Sequence, residues 1–351
     1  MSESQMMKAA IFRGPGDIAT ESVPKSSVQH NDDIVIRVVR ACVCGSDLWF
    51  YRGLDAFKAG TPVGHEAIGV VEQTGSAVQS VRKGDFVIVP FPYSCGKCPV
   101  CKAGFESSCP NGGYIGAVSG CQAEYLRVPE ADGTVVKVDE PEGGFSDTML
   151  AALVTLSDVM ATGYHAAASA EVKPGDTVVV LGDGAVGLCG VIAAGLRGAS
   201  RIISMSRHED RAALARKFGA TDIVAERGQD AVDKVLSMTG GYGADAVLEC
   251  VGSKLSFDTA MGLVMPGAFI GRVGVPHGEE LDSDVLFNKN IGLRGGSAPV
   301  RTYDRTVLLD KVLDGSIHPE LVFTQEFDID HINDAYDAMD KRRAIKSLIR
   351  F

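Results

Sequence analysis

VVVLGDGAVGLCG, residues 178–190, passes from an apolar, β-branched run into a glycine-rich turn and then into small and apolar residues suited to a helix. Gly182, Gly184 and Gly187 stand in the order G-x-G-x-x-G. Such a match alone is weak, but after a strand and at the head of a helix it has the context that dinucleotide binding demands. The first glycine allows the tight turn, the second lets backbone approach a pyrophosphate, and the third lets helix pack on strand. Ala185 and Val186 begin a helix N-terminus whose free N–H groups suit phosphates. The competing reading is a glycine-rich turn that holds no ligand.

The next strand distinguishes the coenzymes. An NAD site places Asp or Glu about 20 residues on, where it bonds the ribose 2′-hydroxyl. RIISMSRHED (201–210) instead ends in Ser206 and Arg207, with His208 and Arg211 close by. An acid there would repel a 2′-phosphate, whereas a hydroxyl and a guanidinium bind it through charge-assisted hydrogen bonds. Glu209 and Asp210 open the following helix, where acids suit the positive end of its dipole. NADP(H) is the expected coenzyme. Otherwise Arg207 is an exposed charge flanking a helix.

Outward from this turn the chain has two textures. IVIRVVRA (34–41), HEAIGVVEQTG (65–75), DFVIVPF (85–91) and AEYLRVP (123–129) are β-branched runs between turn residues. They predict a compact, twisted, partly open barrel over residues 10–138. From Leu150 an alanine-rich helical stretch runs to about Ala170. Strands and helices then alternate. TVVVLG precedes a helix through Leu196, RIISMS one through Phe218, and DAVLECVG one near 256–263, with FIGRVGV following. That rhythm predicts an α/β unit with a parallel sheet covered on both faces. After Ser297 come a helix over 305–313, a second in INDAYDAMDKR, and a closing strand, AIKSLIRF.

A chain of 351 residues, 45% hydrophobic and 23% charged, suits two globular domains. The net charge of −11 argues against nucleic acid or an anionic membrane as partner. The longest uncharged apolar-plus-glycine run, 185–196, falls short of the about 20 residues that span a bilayer. MSESQMMKAA lacks the basic start and apolar stretch of a secretory signal, so a soluble cytoplasmic protein is expected. There thiols stay reduced, and the nine cysteines read as metal ligands or buried small hydrophobes.

Cys95, Cys98, Cys101 and Cys109 have the spacing C-x2-C-x2-C-x7-C, with Pro92, Gly96, Pro99, Gly104 and Pro110 to turn the chain. Four thiolates make a closed tetrahedral zinc site, which holds a loop and leaves no position for substrate. In a ferredoxin-type iron–sulfur run the last gap is three residues, not seven. Unmetallated thiols are the other alternative. Catalysis must lie elsewhere. Three separate fragments supply Cys44 (CGSD), His65 with Glu66 (VGHE), and Asp158 (LSDVMATGYH). Singly they read as a buried thiol, a core histidine and a helix cap. Together they offer S, N and O donors that suit zinc and leave a fourth position for a substrate oxygen. A zinc ion there acts as a Lewis acid toward a carbonyl or an alcohol.

With these residues the chain resembles the zinc-dependent medium-chain alcohol dehydrogenases over essentially its whole length. GHEAIGVVEQTG (64–75) fits that family's G-H-E-x2-G-x5-G signature, the cysteine lobe its structural zinc, and GDGAVG its coenzyme turn. The resemblance implies a GroES-like β-barrel catalytic domain over 1–157 with a zinc lobe at 92–112. It further implies a Rossmann doubly wound parallel-sheet domain over 158–298, and a return to the catalytic domain over 299–351. Homodimers or homotetramers through the coenzyme domain's edge are also implied. Cys44, His65 and Asp158 become catalytic-zinc ligands, with Glu66 against the metal and Ser46 the hydroxyl that takes the alcohol's proton. Thr162, parts of ECVG (249–252) and VGV (273–275) including Val273 lie beside the nicotinamide, and Lys346 near the pyrophosphate. Phe91 matches a pocket-wall position and with Trp49 would narrow the substrate pocket, the alternative being that both are core aromatics.

An aspartate as third ligand is similar to the bacterial NADP-dependent secondary alcohol dehydrogenases, although these often lack the cysteine lobe. Many relatives carry a relay histidine where Trp49 stands, so the proton's exit does not transfer. The implied chemistry is reversible oxidation of a small alcohol to an aldehyde or ketone, with two zinc ions per chain and NADP(H). Alternatives are a polyol or sugar dehydrogenase on the same scaffold, a zinc-free quinone or enone reductase, and a non-catalytic NADPH-binding protein.

Overall fold

Continuous apolar runs become central strands, and two such sheets organise the chain. In a computed structural model, which describes residues 5–277 and 281–351, there are two compact units. One comprises Met1–Asp158 with Pro299–Phe351, the other Val159–Ala298.

The first unit is built on the strand Ile34–Cys42. Ala67–Thr74 pairs antiparallel on one side, followed by Phe86–Val89 and Val136–Val138, and Tyr125–Val128 pairs with part of Ile34–Cys42 as well. On the other side lies the last strand of the chain, Lys346–Arg350, with Leu348 opposite Cys42, and Phe323–Asp328 runs parallel to it. Ile34, Ile36, Val38, Val71, Val87, Leu126 and Tyr336 meet in one core. Burial of these side chains holds the sheet together around that core. The topology also sets Cys44, two residues beyond one strand, beside the start of another at Lys346, where the Val43 N–H bonds the Ser347 carbonyl at 3.1 Å.

The second unit holds six parallel strands among the described residues: Thr177–Leu181, Arg201–Met205, Asp222–Val224, Ala244–Glu249, Val264–Arg272 and Gly292–Gly295. Their order across the sheet is third, second, first, fourth, fifth, sixth. It reverses between Thr177–Leu181 and Ala244–Glu249, and ligands of such sheets bind outside the carboxyl ends of strands at that point. Val179, Leu181, Ile203, Met205, Val247, Phe257 and Ile270 form its core.

Three local readings change. The stretch from Leu150 to Ala170 is two helices, Asp147–Thr155 and Val159–Ser169. Between them the Thr155 hydroxyl donates to the Ala152 carbonyl and the Ser157 hydroxyl to that of Val154, each at 2.6 Å. Such side-chain bonds compete with helix continuation. The helix expected at 305–313 begins earlier, at Val300, and passes through a π-turn over Asp304–Leu308 before Leu309–Leu313. The alternation also contains elements the pattern did not reveal, Asp222–Val224, Gly228–Met238 and Gly292–Gly295. No helix among the described residues is long and apolar enough to cross a membrane.

Candidate active site

The helix break delivers Asp158, and a glycine delivers His65. Gly64 has φ +90, and a Cβ there would meet Gln122 Cγ at 2.6 Å. Gln122 is itself fixed, donating to the Cys42 carbonyl at 3.0 Å and accepting from the Tyr336 hydroxyl at 3.1 Å. His65 therefore enters from a rigid segment. Ligand atoms of Cys44, His65, Glu66 and Asp158 all lie within 4.8 Å of one another, and all four residues are buried. Asp158 Oδ2 is 3.6 Å from Cys44 Sγ and 3.4 Å from His65 Nε2.

Asp47, which the sequence reading passed over, sits behind this cluster. Its Oδ2 accepts the Cys44 N–H at 3.0 Å, and its Oδ1 lies 3.3 Å from His65 Nδ1. A carboxylate at ion-pair distance from the far ring nitrogen favours a proton there and leaves Nε2 for a metal.

Burial pushes the Cys44 thiol up, a tendency that His65 opposes and Asp158 reinforces. Burial opposes charge on His65, but Tyr114, Asp47, Cys44 and Asp158 outweigh it and hold the imidazole well above its usual range. Burial likewise raises the Glu66 carboxyl against the pull of Lys346. Lys346 is 1% exposed, bonded to Glu66 Oε1 at 2.6 Å and to the Val43 carbonyl at 3.1 Å. Burial disfavours its charge, yet Cys42, Glu66 and Cys44 keep its pKa well above the ordinary value. Glu66 Oε2 is buried and has no hydrogen-bond partner among the described residues. A divalent cation fits this donor set, because a thiolate, an imidazole and two carboxylates within 4.8 Å of one another bring negative charge into a buried site that a cation would offset.

In the cysteine lobe the sulfurs of Cys98 and Cys101 are 3.5 Å apart, Cys98 and Cys109 3.8 Å, and Cys109 and Cys95 3.5 Å. Tetrahedral zinc with bonds of about 2.3 Å separates its sulfurs by about 3.8 Å, whereas a disulfide needs about 2.0 Å. The Cys101 N–H points at Cys98 Sγ at 3.5 Å, and Asn111 Nδ2 at Cys95 Sγ at 3.8 Å. Against the burial that opposes it, the Lys97 and Cys98 N–H groups bring the Cys95 thiol down to about 6. Glu106, within the lobe, accepts the Thr302 N–H at 2.5 Å and its hydroxyl at 2.8 Å, tying the lobe to the C-terminal segment.

At the glycine turn Gly182 has φ +111, and a Cβ on Gly187 would stand 2.0 Å from the Gly182 carbonyl oxygen. Nothing lies within 4 Å of a Cβ built on Gly184, the N-cap of the helix Ala185–Leu196, so its backbone can be approached. Ser206 is buried and Arg207 exposed. Thr162 is buried in the helix Val159–Ser169, and Val273, just past Val264–Arg272, donates its N–H to the Glu249 carbonyl at 2.9 Å.

The sequence pattern described as Alcohol dehydrogenase GroES-like domain matches residues 30–140, and that described as Zinc-binding dehydrogenase matches 185–309. The chain is 38% identical to Zinc-type alcohol dehydrogenase B of Aspergillus flavus, over 86% of this chain and 72% of that one. It belongs to the zinc-dependent medium-chain alcohol dehydrogenase family. Among solved structures, the alcohol dehydrogenase TADH from Thermus sp. ATN1 superposes with a TM-score of 0.88 at 31% identity, covering 98% of this chain and 99% of that one. A putative zinc-binding dehydrogenase from Sinorhizobium meliloti, bound to NADP, has a TM-score of 0.81 at 26% identity, covering 99% of each chain.

For a zinc-type alcohol dehydrogenase the groups around the donor cluster take on meaning. Ser46 caps the helix Asp47–Tyr51 without spending its side chain on the cap, so its hydroxyl is not used up there. Trp49 is half-buried on that helix. The Phe91 ring is 6.2 Å from that of His65, and Tyr114 lies 5.1 Å from His65 and 6.2 Å from Phe91. Tyr114 was missed because a lone aromatic five residues beyond Cys109 carries no periodic signal. Its place against His65 comes from pairing of Pro92–Tyr93 with Gly113–Tyr114 at the lobe's base.

Proposed function

We propose that this chain interconverts a small alcohol and its aldehyde or ketone with NADP(H), using one catalytic and one structural zinc ion. The observation that carries the reading is the convergence of Cys44 Sγ, His65 Nε2 and Asp158 Oδ2 in a buried cluster. Zinc bound there supplies Lewis acidity, which acidifies an alcohol or polarises a carbonyl. Asp47 orients His65, and the Lys346 ammonium balances Glu66. The Ser46 hydroxyl accepts the alcohol's proton or returns it in carbonyl reduction. Trp49 cannot relay it further, since its indole does not titrate. Phe91 and Tyr114 form an aromatic wall beside His65 that orients the substrate.

Ser206 and Arg207, standing where an NAD site carries its strand-end acid, support NADP(H), as does the NADP-bound Sinorhizobium relative. Thr162 and Val273 are assigned to the nicotinamide side, and Lys346 to the pyrophosphate as well as to Glu66. With NADPH as the cellular donor, carbonyl reduction is the working direction. Gly292–Gly295 ends the second sheet with an edge unpaired among the described residues, which supports a homodimer or homotetramer joined there. Cys44→Ala is expected to abolish ketone- and aldehyde-dependent NADPH oxidation while leaving NADPH binding within about twofold. Full turnover in that variant would overturn the zinc mechanism. NADPH binding without turnover of any ketone or aldehyde by the wild type would favour the non-catalytic alternative.

A further inference from the structure

Asp183, the middle residue of Gly182-Asp183-Gly184, has no role in the glycine pattern. It lies two residues past Leu181, and Leu181 is in parallel register with Met205, directly before Ser206. The two adjacent strands therefore bring Asp183 and Ser206 together at their carboxyl ends. The Ser206 hydroxyl donates to Asp183 Oδ2 at 2.8 Å, with a longer approach to the His208 carbonyl at 3.3 Å. Arg211 Nη1 donates to the Asp183 carbonyl at 3.1 Å and stands 3.6 Å from its Oδ1. Side-chain exposures of Arg211 and Asp183 are 12% and 16%, so solvent screens this cluster weakly. The hydroxyl that suits a 2′-phosphate is thus already hydrogen-bonded to a carboxylate, and one of the guanidinium groups is held by the Asp183 backbone with the carboxylate at ion-pair distance. Arg207 is exposed and makes no ion pair among the described residues.

We propose that Asp183 is the coenzyme-selectivity residue. Its carboxylate occupies Ser206 and Arg211, opposes the negative charge of a 2′-phosphate, and accepts from ribose hydroxyls as the strand-end acid of an NAD site does. The result is an NADP site with restrained preference that also takes NAD(H). This rests on the coenzyme reading above and adds a residue that works against it. A carboxylate and a phosphate a few ångströms apart repel appreciably even at high effective dielectric. Removing the charge while keeping an oxygen acceptor for Ser206 isolates that effect.

The test is fluorescence titration of NADPH and of NADH into the zinc-loaded protein, comparing wild type with Asp183→Asn, and Asp183→Ser as a second variant. Thermal melts establish that each is folded. Asp183→Asn is expected to tighten NADPH about tenfold and to change NADH less than about threefold. Unchanged or weaker NADPH binding in both variants would overturn the proposal and make Asp183 a brace for Ser206 and Arg211. Wild type that prefers NADH would instead sink the NADP reading. The Asp183 assignment then stands or falls on whether the variants gain NADPH affinity.

Discussion

Asp47 makes two contacts, to the Cys44 N–H and to His65 Nδ1, and touches no substrate in the proposed chemistry. Asp47→Asn is expected to weaken zinc at the catalytic centre by about 10–100-fold, read by competition with a chromophoric chelator, without releasing the lobe's zinc. Gly64→Ala forces a side chain into φ +90 and onto Gln122, so it should cost about 1–3 kcal/mol in urea unfolding. Asp33 gives a pH-dependent case. Burial would raise its carboxyl, but Arg127 at 2.6 Å and the N–H groups of Gln29 and His30 hold it below the usual range. A folded-state pKa below the unfolded value of about 3.9 means stabilisation that is full above that value and lost as pH falls through the folded pKa. The stability gap between wild type and Asp33→Asn should therefore be wide at neutral pH and close on acidification below about pH 4. At this scale the sequence made donors legible: Cys44, His65, Glu66 and Asp158 are recognisable by ligand chemistry and by the GHE signature. Asp47 and Tyr114 were not, because a carboxylate behind a ligand and an aromatic beside it have meaning only through contacts the fold creates.

Elements were legible where burial is two-sided. TVVVL, buried along nearly its whole length, and IVIRVVRA could be nothing but central strands. Gly292–Gly295 was not, since GLRG has no β-branched residue and is a strand only because Val264–Arg272 offers it an edge. Nor was the break before Asp158, which depends on two hydroxyls turning back on the preceding helix. The cysteine lobe shows the opposite case, a short loop whose spacing predicts the clustering of its four sulfurs. Cys98→Ser is expected to remove its metal and lower the melting temperature by several degrees, since closed zinc sites contribute folding energy. The same variant should keep its NADPH affinity, because the glycine turn belongs to the other unit. Equal melting curves would deny the lobe a structural role.

Across the whole molecule, the discontinuous first unit could be expected from resemblance but not from pattern. AIKSLIRF reads as a strand anywhere, and only its pairing of Leu348 with Cys42 carries Lys346 to Glu66. That closure means the last residues of the chain complete the charge balance of a cluster built from its first half. That this cluster is a metal centre separate from the lobe is what the proposed chemistry requires. It is tested most directly by elemental zinc analysis of freshly purified, unchelated wild type beside His65→Ala. Two zinc ions per chain in the wild type and one in the variant are expected. An unchanged zinc count in His65→Ala, or a wild type with a single ion that Cys98→Ser removes, would contradict it.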